Sequence, residues 1–165
     1  MHINETPSIN TQSETGCCPK FDPAPWDSQV FIFEEKIFLV GKTFNFFHIP
    51  LNMGRMMKKT WKKINDNQAV SNKFLVLSSD GFWRGIHYFA LEKKIEGENI
   101  VEITGTFLSR VFEGDYKDMG KWVEEMKRYS ELKGREMKNI YFFYTTCPKC
   151  AKHYGKNYVV AFAEV

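Results

Sequence analysis

Apolar and polar residues alternate along much of the chain beyond residue 29, and a period of two is typical of β-strands. The alternation over 30–40 and 43–50 predicts two strands, and Gly41-Lys42 between them predicts a hairpin turn. The period then lengthens to three and four residues, which predicts a helix over 53–65 with Asn52 as its cap. The apolar stripe of this helix consists of Met53, Met56, Met57, Thr60, Trp61 and Ile64.

The rest of the chain repeats this order of elements. The pattern predicts strands over 74–79, 85–93 and 101–112, a second helix between Asp115 and Gly134, and strands over 140–145 and 158–165. Segments 44–93 and 106–165 therefore share the order strand, helix, strand, strand. Because one such half cannot cover both faces of its sheet, we expect two side-by-side halves. The predicted class is α+β, with a ligand groove at the pseudo-twofold seam.

The first 28 residues differ in composition from the remainder. Residues 1–16 are almost entirely polar, which predicts a flexible tail. Residues 17–28 contain three prolines that favour an extended path, together with Phe21 and Trp26, which can be buried. We therefore expect an ordered arm at 17–28 that belongs to a single domain over 17–165.

Composition narrows the function classes. Of the 165 residues, 16% are aromatic and 15 are Phe, so a ring-lined ligand surface is plausible beside the simpler alternative of a Phe-rich core. The net charge of only +3 argues against a nucleic-acid partner. No apolar run is long enough to span a membrane and no signal sequence is visible, which predicts a cytoplasmic protein without a membrane partner. The oligomeric state stays open.

Several sequence strings resemble those of a known family. Residues 109–122, with Gly114 and Tyr116 in a Gly-x-Tyr pattern, resemble the strand-to-helix passage of gyrase-inhibitor-like (GyrI-like) small-molecule-binding domains. The chain as a whole resembles a subgroup often described as hydrolases, through Cys-Cys-Pro-Lys-Phe-Asp-Pro-Ala-Pro-Trp-Asp at 17–27, Phe-His-Ile-Pro-Leu-Asn at 47–52 and Tyr-Thr-Thr-Cys-Pro-Lys-Cys-Ala-Lys at 144–152. The resemblance implies an aromatic, acid-lined groove. Some members of the wider family only bind lipophilic, often cationic, molecules, and others hydrolyse small electrophiles.

Two residues are candidates for catalysis. Glu113 ends a predicted strand just before a helix, where desolvation among rings would suit it to activate water, although it can equally be an exposed acid. His48, with Asn52 after it, could orient a water or an oxyanion, but a packed histidine and a helix cap explain the same residues.

Further residues are candidates for ligand binding. The aromatic side chains expected nearest the seam are those of Trp83, His87, Tyr88, Tyr116 and Tyr144, although each can belong to the core instead. Glu164 continues a ring-bearing strand face and could pair with a cationic ligand, although fraying and solvent exposure near the chain end are the alternative.

The four cysteines form two pairs. Cys147 and Cys150 stand in a Cys-Pro-Lys-Cys loop, and because no helix is predicted after them, a thioredoxin-like redox pair is disfavoured. Cys17 and Cys18 could complete a structural zinc site if the arm folds back onto the last hairpin, with His153 as a further ligand. We expect the two pairs to be spatial neighbours. Reduced, packed thiols are the alternative to zinc, and no cofactor is certain.

Two functional hypotheses follow. The first is a hydrolase of small lipophilic or electrophilic compounds that uses an acid-activated water in an aromatic groove. The second is a non-catalytic module that binds or senses aromatic or cationic ligands. A candidate acid without a basic partner favours the first, whereas an acid paired with Lys or Arg favours the second. In either case the expected partner is a small molecule.

Overall fold

The computed structural model describes residues 2–3, 5–9 and 13–165. The strands are β1 (His2–Ile3), β2 (Val30–Phe46), β3 (Ile49–Pro50), β4 (Val76–Asp80), β5 (Arg84–Ala90), β6 (Ile100–Glu113), β7 (Asn139–Tyr144) and β8 (Tyr158–Glu164). The helices are α1 (Met53–Asp66), α2 (Met119–Leu132) and α3 (Pro148–Tyr154). The predicted α+β class is confirmed. The strand pairs β2–β5, β4–β5, β6–β8 and β7–β8 are antiparallel.

The chain divides into two compact units, each with three strands paired side by side and a helix that packs on them. The central unit comprises 34–104, and the terminal unit comprises 1–33 together with 105–165. The boundaries fall inside the long strands β2 and β6. The groove expected at a seam between two halves stays a prediction.

In the central unit, β5 lies between β2 and β4, and helix α1 covers one face of this sheet. Leu39 faces Phe89 across the β2–β5 pair, and Val76 faces Phe89 from β4, so the three side chains share a face. Met56 and Ile64 of α1 are buried against them. The helix forms because its apolar residues recur every three to four positions and this stripe has an apolar sheet face to cover.

The predicted hairpin at 41–42 is wrong, because β2 runs without interruption from Val30 to Phe46. Gly41 is paired opposite His87 in the middle of the sheet. A Cβ atom at this position would lie 2.6 Å from Met56 Sδ, so the glycine lets α1 approach the strand closely. The chain reverses instead at Phe47 and His48, which connect β2 to β3.

In the terminal unit, β8 lies between β6 and β7, which is the same strand order as in the central unit. Helix α2 packs on one face of the sheet through Trp122 and Met126, against the cluster that includes Phe142 and Val159. The helix begins later than the sequence predicts. Asp115 caps a single 3₁₀ turn over Tyr116–Asp118 by accepting a hydrogen bond from the Tyr116 N–H at 2.7 Å, and α2 follows at Met119.

The opposite face of the terminal sheet is covered by the arm at 17–28. Phe143 and Phe162 point away from α2, and the Trp26 ring lies 5.5 and 6.3 Å from their centroids. The Ser109 hydroxyl donates a 2.6 Å hydrogen bond to the Trp26 carbonyl. Trp26 is 1% exposed and Phe21 is 8% exposed, so both rings are buried, as the sequence predicts.

The flexible tail predicted at 1–16 lies partly outside the described residues. Of the part described, Thr6 is buried, and the Ser13 hydroxyl donates a 2.8 Å hydrogen bond to the Cys18 carbonyl. This segment therefore contacts the start of the arm.

Candidate functional site

Two adjacent turns of the central unit place a group of rings at one end of its sheet. The end of β2 and the turn after it contribute Phe46, Phe47 and His48, and the turn between β4 and β5 contributes Phe82 and Trp83. We call these five residues the aromatic tip. Ring centroids are 4.5 Å apart for Phe46–Phe47, 4.7 Å for Phe47–Phe82 and 4.7 Å for Phe82–Trp83. The rings therefore contact one another across both turns.

The aromatic tip is exposed to an unusual degree for such apolar side chains. Phe47 is 57% exposed and Trp83 is 54% exposed, and the neighbouring Ile49 and Leu51 are also exposed. Contiguous exposed apolar surface in a folded protein commonly marks a binding site. The tip is thus a candidate ligand surface.

The turn that carries Phe47 and His48 is strained. Both residues have positive φ, 48° and 66°, in a two-residue loop between the paired residues Phe46 and Ile49. Such a loop normally contains Asn-Gly, because the left-handed conformation costs a residue with a bulky side chain about 1–2 kcal/mol. Strain of this kind is typical of functional sites, so an aromatic residue and a histidine at these positions indicate a role beyond turning the chain.

The contacts of His48 fix its tautomer. Its Nδ1 atom lies 3.2 Å from the backbone carbonyl oxygen of Asp80. A carbonyl oxygen can only accept, so Nδ1 carries the proton and Nε2 keeps its lone pair in the neutral ring. The exposed imidazole lies edge-on to Phe82 at 5.4 Å, among the rings of the tip. This arrangement leaves Nε2 able to accept a hydrogen bond among the rings of the tip.

A buried side chain holds the two turns together. The Asn45 N–H donates to the Trp83 carbonyl at 2.8 Å, and the Asn45 Nδ2 donates to the Gly81 carbonyl at 2.9 Å. Its Oδ1 accepts a 2.9 Å hydrogen bond from the Thr43 hydroxyl. Asn45 is fully buried, so these bonds are shielded from water and fix the geometry of the tip.

Behind Asn45 lies a buried histidine whose proton positions follow from its partners. Because the Thr43 hydroxyl donates to Asn45, the His87 Nε2 must donate to Thr43 at 3.0 Å. The His87 Nδ1 therefore accepts from the Ser78 hydroxyl at 2.7 Å. Burial lowers the pKa of His87, against the opposing effect of Asp80, and keeps the ring neutral. With Ser78 2% exposed, this Ser–His pair supports the tip rather than attacking a substrate itself.

The four cysteines come together in the terminal unit. Their sulfur atoms all lie within 4.8 Å of one another, which confirms that the two pairs are spatial neighbours. Four sulfurs at this separation can hold a metal such as zinc. The sequence argument against a redox pair is wrong in its premise, because helix α3 begins at Pro148 with Cys147 as its N-cap.

The thiols of this cluster differ in their environments. A hydrogen bond from Thr15, at 3.2 Å from its sulfur, lowers the pKa of Cys150 to about 6. Burial raises the pKa of Cys18 to about 12. In the metal-free cluster, Cys150 is therefore deprotonated more readily than Cys18.

Comparison with known proteins identifies the family of this chain. The model of a family described as bacterial hydrolase matches residues 8–165. The chain belongs to the bacterial hydrolase family. A search of curated proteins finds no match. Within residues 2–3, 5–9 and 13–165, no helix of this family member is long and apolar enough to cross a membrane.

The two residues predicted as catalytic belong to different units of this bacterial hydrolase family member. His48 lies in the turn of the aromatic tip, so its place within the strand predicted over 43–50 is wrong. Glu113 is exposed in the terminal unit and forms a 3.3 Å ion pair with Lys156. This candidate acid therefore has a basic partner.

The predicted ligand-binding residues are likewise distributed between the units. Trp83 belongs to the tip, and Asn52 supports it by accepting a 2.8 Å hydrogen bond from the Phe44 N–H. Tyr88 is half-buried on β5. In the terminal unit, Tyr116 and Tyr144 stack at 5.4 Å.

Two other residues, one predicted to bind a ligand and one predicted to bind zinc, contact other side chains instead. The Glu164 carboxylate accepts a 2.8 Å hydrogen bond from the Asn139 Nδ2. His153 lies 3.3 Å from the carboxylate of Glu14 and is not part of the sulfur cluster.

Sequence reasoning missed Phe46, Phe47, Phe82 and the network around His87. A signal for the tip exists in the Phe-Phe-His run, which interrupts the alternation of β2. The buried network has no such signal, because Thr43, Ser78 and His87 become neighbours only through the pairing of three strands.

Proposed function

We propose that this protein hydrolyses small lipophilic compounds bound on the aromatic tip, with His48 as the general base. The observation that carries the proposal is the strained turn that holds a histidine with a free Nε2 lone pair among exposed rings. Membership of the bacterial hydrolase family supports the reaction class. The same strand-helix-strand-strand order in both units supports the finer resemblance to GyrI-like domains, which we retain as part of the proposal.

The chemistry requires a single base. The apolar part of the substrate packs on Phe47 and Trp83, which brings its electrophilic carbon close to His48. The Nε2 atom takes a proton from water while the water oxygen bonds to that carbon. The imidazolium then returns the proton to the leaving group as its bond to carbon breaks, so the ring is neutral again after each turnover.

Charge around the tip favours His48 over an acid in this role. The segment 41–65 contains no Asp or Glu, whereas it contains Lys42 and Arg55, both exposed. The Asp80 side chain is only 1% exposed. A carboxylate-activated water, as first expected at Glu113, has no counterpart in these segments. The charge balance also favours neutral or anionic substrates over cationic ones.

A series of p-nitrophenyl esters with acyl chains of increasing length tests the proposal. We expect kcat/KM to rise with chain length, and His48→Gln to lower kcat by about 10²–10⁴-fold with little change in KM, because it removes only the base. Trp83→Ala should mainly raise KM. The matched control is His153→Gln, an exposed histidine in the terminal unit, which should leave both constants unchanged. Equal kcat for wild type and His48→Gln would contradict the role of His48.

A second candidate function is binding without catalysis. The ion pair of Glu113 with Lys156 is the observation that favours it, because a candidate acid with a basic partner is the arrangement expected of a binding module. Binding of a lipophilic fluorescent probe such as anilinonaphthalene sulfonate, lost in Trp83→Ala, together with no turnover of any ester, would support this function over the first. The cytoplasmic location stays a prediction.

A further inference from the structure

The sulfur cluster of the terminal unit has the dimensions of a four-thiolate metal site. The Cys17 sulfur lies 3.6 Å from that of Cys18 and 4.0 Å from that of Cys147. With Zn–S bonds of about 2.3 Å, a tetrahedron places its sulfurs about 3.8 Å apart. The cluster therefore needs only small side-chain adjustments to surround a zinc ion, even though two of its cysteines are adjacent in sequence.

The surroundings of the sulfurs are also those of a metal site. The Cys147 N–H points to the Cys18 sulfur at 3.4 Å, and the Thr15 hydroxyl lies 3.2 Å from the Cys150 sulfur. Groups that donate to ligating sulfurs orient them and stabilise their negative charge. Soft thiolates select zinc over magnesium or calcium, and four of them leave no position open for water. Such a site is structural rather than catalytic.

The position of the cluster shows what a metal would fasten. Cys17 and Cys147 are 130 residues apart in the chain. Cys17 and Cys18 begin the arm, and the Tyr154 hydroxyl donates a 2.7 Å hydrogen bond to the Cys18 carbonyl beside them. Phe21 and Trp26 follow within the arm and cover the helix-free face of the terminal sheet. Anchoring the start of the arm restricts the rings that come directly after it.

We propose that Cys17, Cys18, Cys147 and Cys150 bind one zinc ion as four thiolates, and that this ion fastens the arm onto the terminal sheet. Binding releases the thiol protons to solvent and involves no oxidation. Without the ion, the arm is held only by its ring contacts and hydrogen bonds and opens more often, which exposes Phe143 and Phe162. The proposal is independent of the role of His48.

The first test is metal content. Protein purified under reducing conditions without chelator should contain about one zinc per chain. Cys147→Ser and Cys150→Ser should each lower that content at least tenfold, whereas the control His153→Ala should not. Cobalt(II) in place of zinc should give the visible absorption bands of tetrahedral thiolate ligation. A zinc content near zero in wild type, including after reconstitution with excess zinc and reductant, would overturn the proposal, and so would a disulfide within the cluster.

The second test concerns the arm and uses the wild-type chain, so that it does not depend on a variant folding. Removal of zinc by a chelator should shift Trp fluorescence to longer wavelength and make proteolysis within 17–28 at least tenfold faster, while circular dichroism shows the helices retained. The fluorescence shift should be absent in Trp26→Phe, which assigns it to the arm. Zinc binding with no change in proteolysis of the arm after chelation would contradict the fastening role.

Discussion

Replacing Phe47-His48 by Asn-Gly should stabilise the protein while abolishing its proposed activity. Asn and Gly adopt the left-handed conformation at lower cost than Phe and His. Removing this cost at both residues contributes about 2–4 kcal/mol to the free energy of unfolding. Three losses oppose it. The added glycine favours the unfolded chain by about 0.4–1 kcal/mol, and the exposed hydrogen bond of His48 to Asp80 contributes about 0.5 kcal/mol. The two closest ring contacts of Phe47, to Phe46 and Phe82, contribute about 1 kcal/mol together.

The net expectation is a gain of about 1 kcal/mol, or a rise in Tm of about 2–4 °C for a chain of this size. Urea denaturation followed by circular dichroism measures it, and the ester assay measures the lost activity. Gln68→Gly is the matched control, because exposed Gln68 also has positive φ (51°) but lies away from the tip at the end of α1. It should stabilise by about 0.5–1 kcal/mol and leave activity unchanged. A loss of more than 1 kcal/mol in the double variant would show that ring contacts outweigh strain and would refute the reasoning.

Three further predictions follow from buried groups. Trp26→Ala should lower the free energy of unfolding by about 3–5 kcal/mol in a urea titration, because it leaves a large cavity under the arm; a loss below 1 kcal/mol would contradict tight packing there. Gly85→Ala should destabilise by about 1–3 kcal/mol, since its Cβ would lie 2.9 Å from the His87 Nε2, whereas Gly54→Ala, with nothing within 4 Å, should not lower Tm. Because the pKa of His87 is lowered in the folded protein, the contribution of this residue to the free energy of unfolding is fully present above the unfolded pKa near 6.5. It is lost as the pH falls toward the folded pKa, by at most about 1.4 kcal/mol per pH unit. His87→Gln should flatten the pH dependence of stability below about pH 6.5, and an unchanged slope would contradict the assignment.

The periodicity of the sequence predicts elements well where one face of each is buried. The predicted helix over 53–65 corresponds to α1 at Met53–Asp66, and the strand over 158–165 corresponds to β8 at Tyr158–Glu164. The stripe of α1 and the alternation of β8 are strong because burial selects the side chains on one face. The burial of Phe21 and Trp26 was predictable for a similar reason, since large rings in a proline-stiffened segment have to be covered by the domain.

The turns were less predictable, because their signals conflict with their function. Gly41 looks like a turn residue but lies inside a strand, where its lack of a side chain accommodates Met56. Phe47 and His48 look like strand residues but form the turn. Local propensity predicts the wrong structure at these positions. Tertiary packing determines the conformation at Gly41, and we infer that binding chemistry determines it at Phe47 and His48. The turn that local propensity disfavours most is the one that places His48 among exposed rings, and for this reason we propose it as the place where the protein acts.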